Sequence, residues 1–276
     1  MISIIICSRS KSLPDELIKN IDDTIGCEYE VVAIDNSSGR HSIFSAYNEG
    51  VRRAKGEILH FRHDDITHIS TGWGRAVTEI LSDTSIGLLG VGGSHIMPGF
   101  PAYYCESPYM SFYNQDNDNG KIVFNSDGYW SPDGLADVAV VDGQQFFIPK
   151  KLFPPLKFDE TNFSGFHGYD MDVCMQVQSL GLRVVVSKRL LSEHRWSNSK
   201  WQDQEMMKQL YSAMDVFYGK WKDSLPILRG ISKPEAEMVN MMELWQHAYS
   251  YRRILKSKAY RLGKMILAPI KRRNVQ

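Results

Sequence analysis

Residues 42–65 read SIFSAYNEGVRRAKGEILHFRHDD. Residues 42–55 predict a helix stopped by Gly56, residues 58–61 a strand, and His63-Asp64-Asp65 follows that strand directly. The same alternation extends in both directions. Upstream, residues 2–7 (ISIIIC) and 29–34 (YEVVAI) read as strands. Between them Ser12-Leu13-Pro14-Asp15 looks like a helix start, with Ser12 as cap, proline in the first turn and an acid three residues on; that helix runs to about residue 23. Downstream come a helix over 73–81 and a strand over 86–91. Strands separated by single helices imply right-handed crossovers and an α/β fold with a mainly parallel sheet. Ligands in such sheets sit outside the carboxyl ends of the strands. That edge carries Ser8-Arg9, Asp35-Asn36 and His63-Asp64-Asp65.

The pattern breaks over residues 94–136, rich in Gly, Pro, Asn, Asp and aromatics. A structureless stretch this long is uncommon unless functional, so it reads as a substrate-shaping insertion with one hairpin. Residues 137–141 and 145–148 then look like a strand pair around Asp142-Gly143. Residues 169–180 carry apolar positions at helical spacing (Met171, Cys174, Val177, Leu180) and end at Gly181; residues 183–187 are a further strand. Beyond Trp201 the chain reads helical, in two or three segments broken near Pro226 and Pro234. This organisation predicts a catalytic domain over residues 1–200 and a helical extension over 201–276.

Composition is that of an ordinary globular protein, 43% hydrophobic and 23% charged, which argues against disorder. The N-terminal MISIII has no basic residue before it and no small-residue cleavage site, so it reads as a buried strand rather than a signal peptide. No apolar run approaches the ~18 residues of a spanning helix. Cys7, Cys27, Cys105 and Cys174 form no CxxC pair and read as reduced, mostly buried thiols of a cytoplasmic protein. The formal net charge of zero hides a split. No acid follows Glu243, whereas Arg252, Arg253, Lys256, Lys258, Arg261, Lys264, Lys271, Arg272 and Arg273 do. Residues 248–268 read as a basic helix with an apolar stripe: either a terminal helix packed on the body, or a segment lying peripherally on the inner membrane face. The acidic remainder and the absence of a binding module argue against a nucleic-acid partner.

Four positions can carry chemistry. Asp35 ends its strand and can either accept hydrogen bonds from a nucleobase or ribose or close an Asx turn. Asp64 and Asp65 repel each other unless they are solvated or share a hard cation, which could bridge to a diphosphate. In Gly168-Tyr169-Asp170-Met171-Asp172 the acids either cap a helix or supply a general base, with Asp172 in support. His194, in LSEHRWSN, matters only if it meets Asp65 in one metal site.

Taken together, ISIIICSRS, VVAIDNSS, AYNEGVRRAKGEILHFRHDD, VDGQQFFIPKKLF, KFDE and GFHGYDMDVCMQVQSLGLRVVV resemble the family 2 glycosyltransferases of the GT-A fold, in the bacterial branch whose acidic motif reads HDD. The likeness spans residues 2–197. It implies a nucleotide-sugar donor lined by Ser8, Arg9, Asp35 and Asn36, with His63 and Asp64 at the nucleotide and diphosphate. It implies a divalent metal, Mn or Mg, on Asp65 and His194, and Asp170 as the base of an inverting transfer to a saccharide or lipid-linked hydroxyl. Two positions depart from the family's pattern: His63 replaces the first acid of the DxD place, and Tyr169 replaces the acid before Asp170. Three rivals stand beside it. A nucleotidyltransferase would begin with a Gly-rich loop, where this chain has CSRSKS; the others are a retaining transferase and a non-catalytic carbohydrate-binding protein of the same fold.

Overall fold

The first strand, β1 (Ile2–Ser8), is buried on both faces, as expected of a central strand in a covered parallel sheet. A computed structural model describes residues 1–101, 109–110, 112–116, 122–123, 130–196 and 204–229. After β1 the chain alternates as the pattern predicts: α1 (Asp15–Thr24), β2 (Tyr29–Asp35), α2 (Ile43–Arg53), β3 (Ile58–Arg62), a short β4 (Ile66–His68), α3 (Trp73–Ile80) and β5 (Ile86–Gly90). Short strands follow: β6 (Gly92–Ser94), β7 (Ile96–Met97), β8 (Tyr109–Met110), β9 (Phe112–Asp116), β10 (Ile122–Val123), β11 (Leu135–Asp137) and β12 (Val140–Val141). Then come β13 (Gln145–Pro149), α4 (Tyr169–Ser179), β14 (Arg183–Ser187), β15 (Ser192–Trp196), α5 (Gln204–Trp221) and β16 (Ile227–Leu228).

The main sheet has seven strands in the order β11-β14-β5-β13-β3-β1-β2. β1 pairs in parallel with β2 and β3, and β14 with β5, while β13 and β11 run antiparallel to their neighbours. Alternation along β1 splits the core in two. Ile2, Ile4 and Ile6 join Leu17 and Ile21 of α1 and Trp73 and Val77 of α3. Ile5 joins Phe44 and Tyr47 of α2 and Met171, Cys174 and Val177 of α4. Each such side chain taken out of water contributes ~1.5–3 kcal/mol. Gly50 lets α2 approach, since a Cβ there would come 2.3 Å from Ile5 Cγ2. Asn48 holds the KFDE segment by its backbone, donating to Phe158 O at 2.8 Å and accepting from Phe158 N at 3.0 Å.

Several local expectations are corrected. Pro14, not Ser12, stands at the N-cap of α1, with no side-chain cap; Asp15 and Glu16 supply the first-turn charge instead. α2 ends at Arg53, before Gly56. The segments around Asp142-Gly143 do not pair with each other. Val140–Val141 pairs with β6, and β13 inserts between β3 and β5, where Phe146 and Phe147 fill opposite core layers. The end of the chain is not helical throughout, because β16 pairs with β7. In the irregular stretch, β9 and β10 form an antiparallel pair, and β9 also runs parallel to β15.

One compact unit spans Met1–Ile231. Within it α5 is fixed to α4: Lys220 Nζ lies 2.7 Å from Asp159 and 2.8 Å from Asp172, and Trp221 Nε1 donates to Asp172 at 2.7 Å. Lys220 and Asn162 hold the Asp159 carboxyl down at about 2 against the opposing effect of burial. The second unit, Ser232–Gln276, contains the basic helix expected over 248–268 and lies outside the described residues. Among the described residues no helix is long and apolar enough to cross a membrane. Cys7, Cys27 and Cys174 are free thiols.

Candidate active site

The parallel register places Ser8 opposite Asp35. Ser8 Oγ donates to Asp64 Oδ2 at 2.5 Å and accepts from Ser10 N at 3.1 Å, tying the loop after β1 to the acidic segment. Asp35 closes an Asx turn, accepting from Ser37 N at 2.8 Å, and that bond holds its exposed carboxyl below the usual range. Asn36 shapes the following loop: His41 N donates to its Oδ1 and its Nδ2 donates to His41 O, each at 2.9 Å. Arg9 is exposed beside this edge.

Beneath the acidic segment lies Arg62, which is fully buried. Its Nε donates to His63 O at 3.0 Å and its Nη2 to Ile66 O, clamping the segment at both ends. Burial lowers its pKa to about 10, opposed by Asp65 and Asp64, so it stays charged at neutral pH and offsets the two carboxylates. Its place before the acids is the signal that sequence reasoning passed over. A second segment then arrives from far along the chain. β15 pairs antiparallel with β4, setting His194 against Ile66, and Arg195 N donates to Asp65 O at 3.1 Å. His194 Nε2 comes to 3.4 Å from Asp65 Oδ1.

The expected partners Asp65 and His194 therefore meet, and a third joins them. One ligand atom each from His63, Asp65 and His194 lies within 4.8 Å of the others. Opposite ligands of a single ion, at about 2.1 Å each, sit about 4.2 Å apart, so the cluster is of a size to hold a metal.

At the head of α4, Tyr169 Oη donates to Gly143 O at 2.8 Å and lies 2.9 Å from His63 Nε2. A Cβ on Gly143 would fall 2.5 Å from Tyr169 Oη and 3.1 Å from Asp170 Cβ, so only glycine fits there. Asp170 is buried at this junction, accepting from Met171 N at 2.9 Å. Asp172 turns the other way. Trp221, Lys220 and Gln176 occupy its oxygens, which makes it a bolt for α5 rather than a partner of Asp170.

No curated protein matches the chain. By structure it is similar to GalNAc-T7 crystallised with UDP, GalNAc and Mn2+, at 12% identity and a TM-score of 0.54, over 80% of this chain and 50% of that one. It is also similar to S. aureus TarS 1–349 (14% identity, TM-score 0.46, 76% and 64% covered) and to A197 from STIV (12%, 0.42, 71% and 85%). The chain thus spans half the length of the GalNAc-T7 chain, and at these identities the likeness is one of fold, the GT-A type. The model described as "Glycosyltransferase like family" matches residues 3–221, and the chain belongs to that family.

Proposed function

We propose that the protein moves a sugar from a nucleotide-sugar donor to a hydroxyl of a saccharide or lipid-linked acceptor, with inversion and with the help of a divalent metal. The observation that carries this reading is the His63–Asp65–His194 cluster beside the Ser8–Asp64 pair, at the carboxyl edge of the parallel strands. Two imidazoles suit a first-row transition ion, and the carboxylate suits a harder ion such as Mn2+ or Mg2+. UDP and Mn2+ in the similarly folded GalNAc-T7 are of the same ligand classes. When bound, the metal supplies charge neutralisation for the nucleoside diphosphate leaving group.

The chain's own residues do the rest. Asp35, exposed at the end of β2, and the Asn36 loop receive the nucleoside, and Ser8 and Arg9 flank it. Asp64 stands next to the diphosphate, oriented by Ser8. Asp170 takes the proton from the acceptor hydroxyl as that oxygen bonds to the anomeric carbon. The bond from that carbon to the diphosphate oxygen breaks with its electron pair, inverting the centre. Asp170 is favoured over Asp172 because Asp172 is committed to α5.

A panel of nucleotide sugars assayed for transfer and donor hydrolysis, with and without Mn2+, tests the reading. Activity is expected only with the metal, with inverted product anomers by NMR. Asp170→Asn should keep donor binding and lower turnover ~10²–10⁴-fold, the usual contribution of a positioned base. A variant keeping a tenth or more of wild-type turnover places the base elsewhere.

A further inference from the structure

His63 and Tyr169 are the two departures from the acidic pattern that the chain otherwise resembles. They lie 106 positions apart in sequence and touch in space, Tyr169 Oη being 2.9 Å from His63 Nε2. A phenol carries one proton, and Tyr169 donates its proton to Gly143 O at 2.8 Å. With that proton directed at Gly143 O, the hydrogen between Tyr169 Oη and His63 Nε2 comes from His63, which corresponds to the Nε2–H tautomer with the lone pair on Nδ1. A metal binds the nitrogen with the lone pair, and the hydrogen bond made by the other nitrogen decides which one that is.

The arrangement is rigid. Tyr169 is 4% exposed and its ring packs edge-on against Tyr47 at 5.6 Å and Phe44 at 6.3 Å. Glycine at 143 permits the close approach of the phenol. On the other side Arg62 holds the His63 carbonyl at 3.0 Å, and His63 N donates to Gln144 O at 2.9 Å, so backbone and ring are fixed independently.

We infer that Tyr169 is a positioning residue that orients His63 and selects its Nε2–H tautomer, so that Nδ1 joins Asp65 and His194 as a metal ligand. Histidine and tyrosine thus replace two acids as a linked pair. The inference rests on the metal reading given above.

Two measurements on the full chain test it. Mn2+ binding by calorimetry is expected to weaken ~10–100-fold in Tyr169→Phe, the range for loss of a ligand's outer partner. In a His63→Gln background the same substitution should cost nothing further, since a double-mutant cycle isolates the pair. The second measurement is ¹⁵N NMR of the His63 ring in metal-free wild type, which needs no variant to fold and should show Nε2–H. Tyr169→Phe binding Mn2+ within twofold of a wild type that binds it, or an Nδ1–H ring, overturns the inference and leaves the metal reading intact. A wild type that binds no Mn2+ sinks the metal reading, and the ligand role of His63 with it.

Discussion

Two histidine pairs sit at nearly the same separation in this molecule and in opposite surroundings. The ring centroids of His60 and His68 are 5.7 Å apart, and those of His63 and His194 are 5.6 Å apart. The first pair is sealed in the layer beneath α1 and α3: His60 stacks on Phe147 and His68 on Trp73, each at 4.1 Å. Burial pushes both of their pKa values well below 6.5, with the nearby Arg62 charge acting in the same direction. His60 is hydrogen-bonded to Gln145 at 3.1 Å; among the described residues neither ring nitrogen of His68 has a hydrogen-bond partner. The second pair stands beside the Asp65 carboxylate. Residue type and spacing are therefore equal, and what separates a packed pair from a candidate metal site is the anion and the edge of the sheet.

The sharpest way to separate the pairs is to remove the anion. Asp65→Ala should weaken Mn2+ binding by more than the ~100-fold ceiling for loss of an outer partner, because a charged ligand is lost outright. Its melting temperature in chelator should fall as well, because buried Arg62 loses one of its two compensating carboxylates, but unfolding should stay cooperative. Equal Mn2+ binding by calorimetry would dissolve the distinction.

Next in size is the converse substitution. His68→Ala leaves a hole against Trp73 and should cost about 2–4 kcal/mol by denaturant unfolding, in line with other large-to-small core changes, while Mn2+ affinity holds. Loss of metal in step with stability would mean that the two pairs are not independent.

The smallest effect is the most diagnostic of environment. With a folded-state pKa lowered below the unfolded 6.5, the unfolded chain takes up more protons as pH falls through 6.5. The stability held by neutral His68 is thus complete above that pH and lost progressively below it, by on the order of 1 kcal/mol one pH unit down. His68→Phe keeps a ring on Trp73 and removes the titration, so it should recover about that amount at pH 5.5 relative to any change at pH 8. An identical change at both pH values would show that burial does not hold His68 neutral.

Most local elements, and the edge on which chemistry gathers, are legible in the residues alone. The hydrophobic run ISIIIC reports burial on both faces, which makes a central parallel strand legible without any partner in view, whereas YEVVAI, equally apolar, forms the half-exposed edge strand β2. The parallel order then places Ser8, Asp35 and His63-Asp64-Asp65 at one end of the sheet. Two things could not be read this way. The first is pairing partners: the segment after Asp142 looks like half of a hairpin, yet its buried phenylalanines fill the gap between β3 and β5. The second is which polar groups meet. Asp170 and Asp172 share one helix turn and read as a base with an acid in support, but Lys220 and Trp221, some fifty residues on, bind Asp172 to α5, while Asp170 lies beside Gly143. Likewise His194 reaches Asp65 only because β15 pairs with β4, and His63 meets Tyr169 where the turn before β13 brings Gly143 against the phenol. Periodicity encodes how far a residue is from water, whereas contacts over such separations depend on which surfaces the packed elements leave for one another.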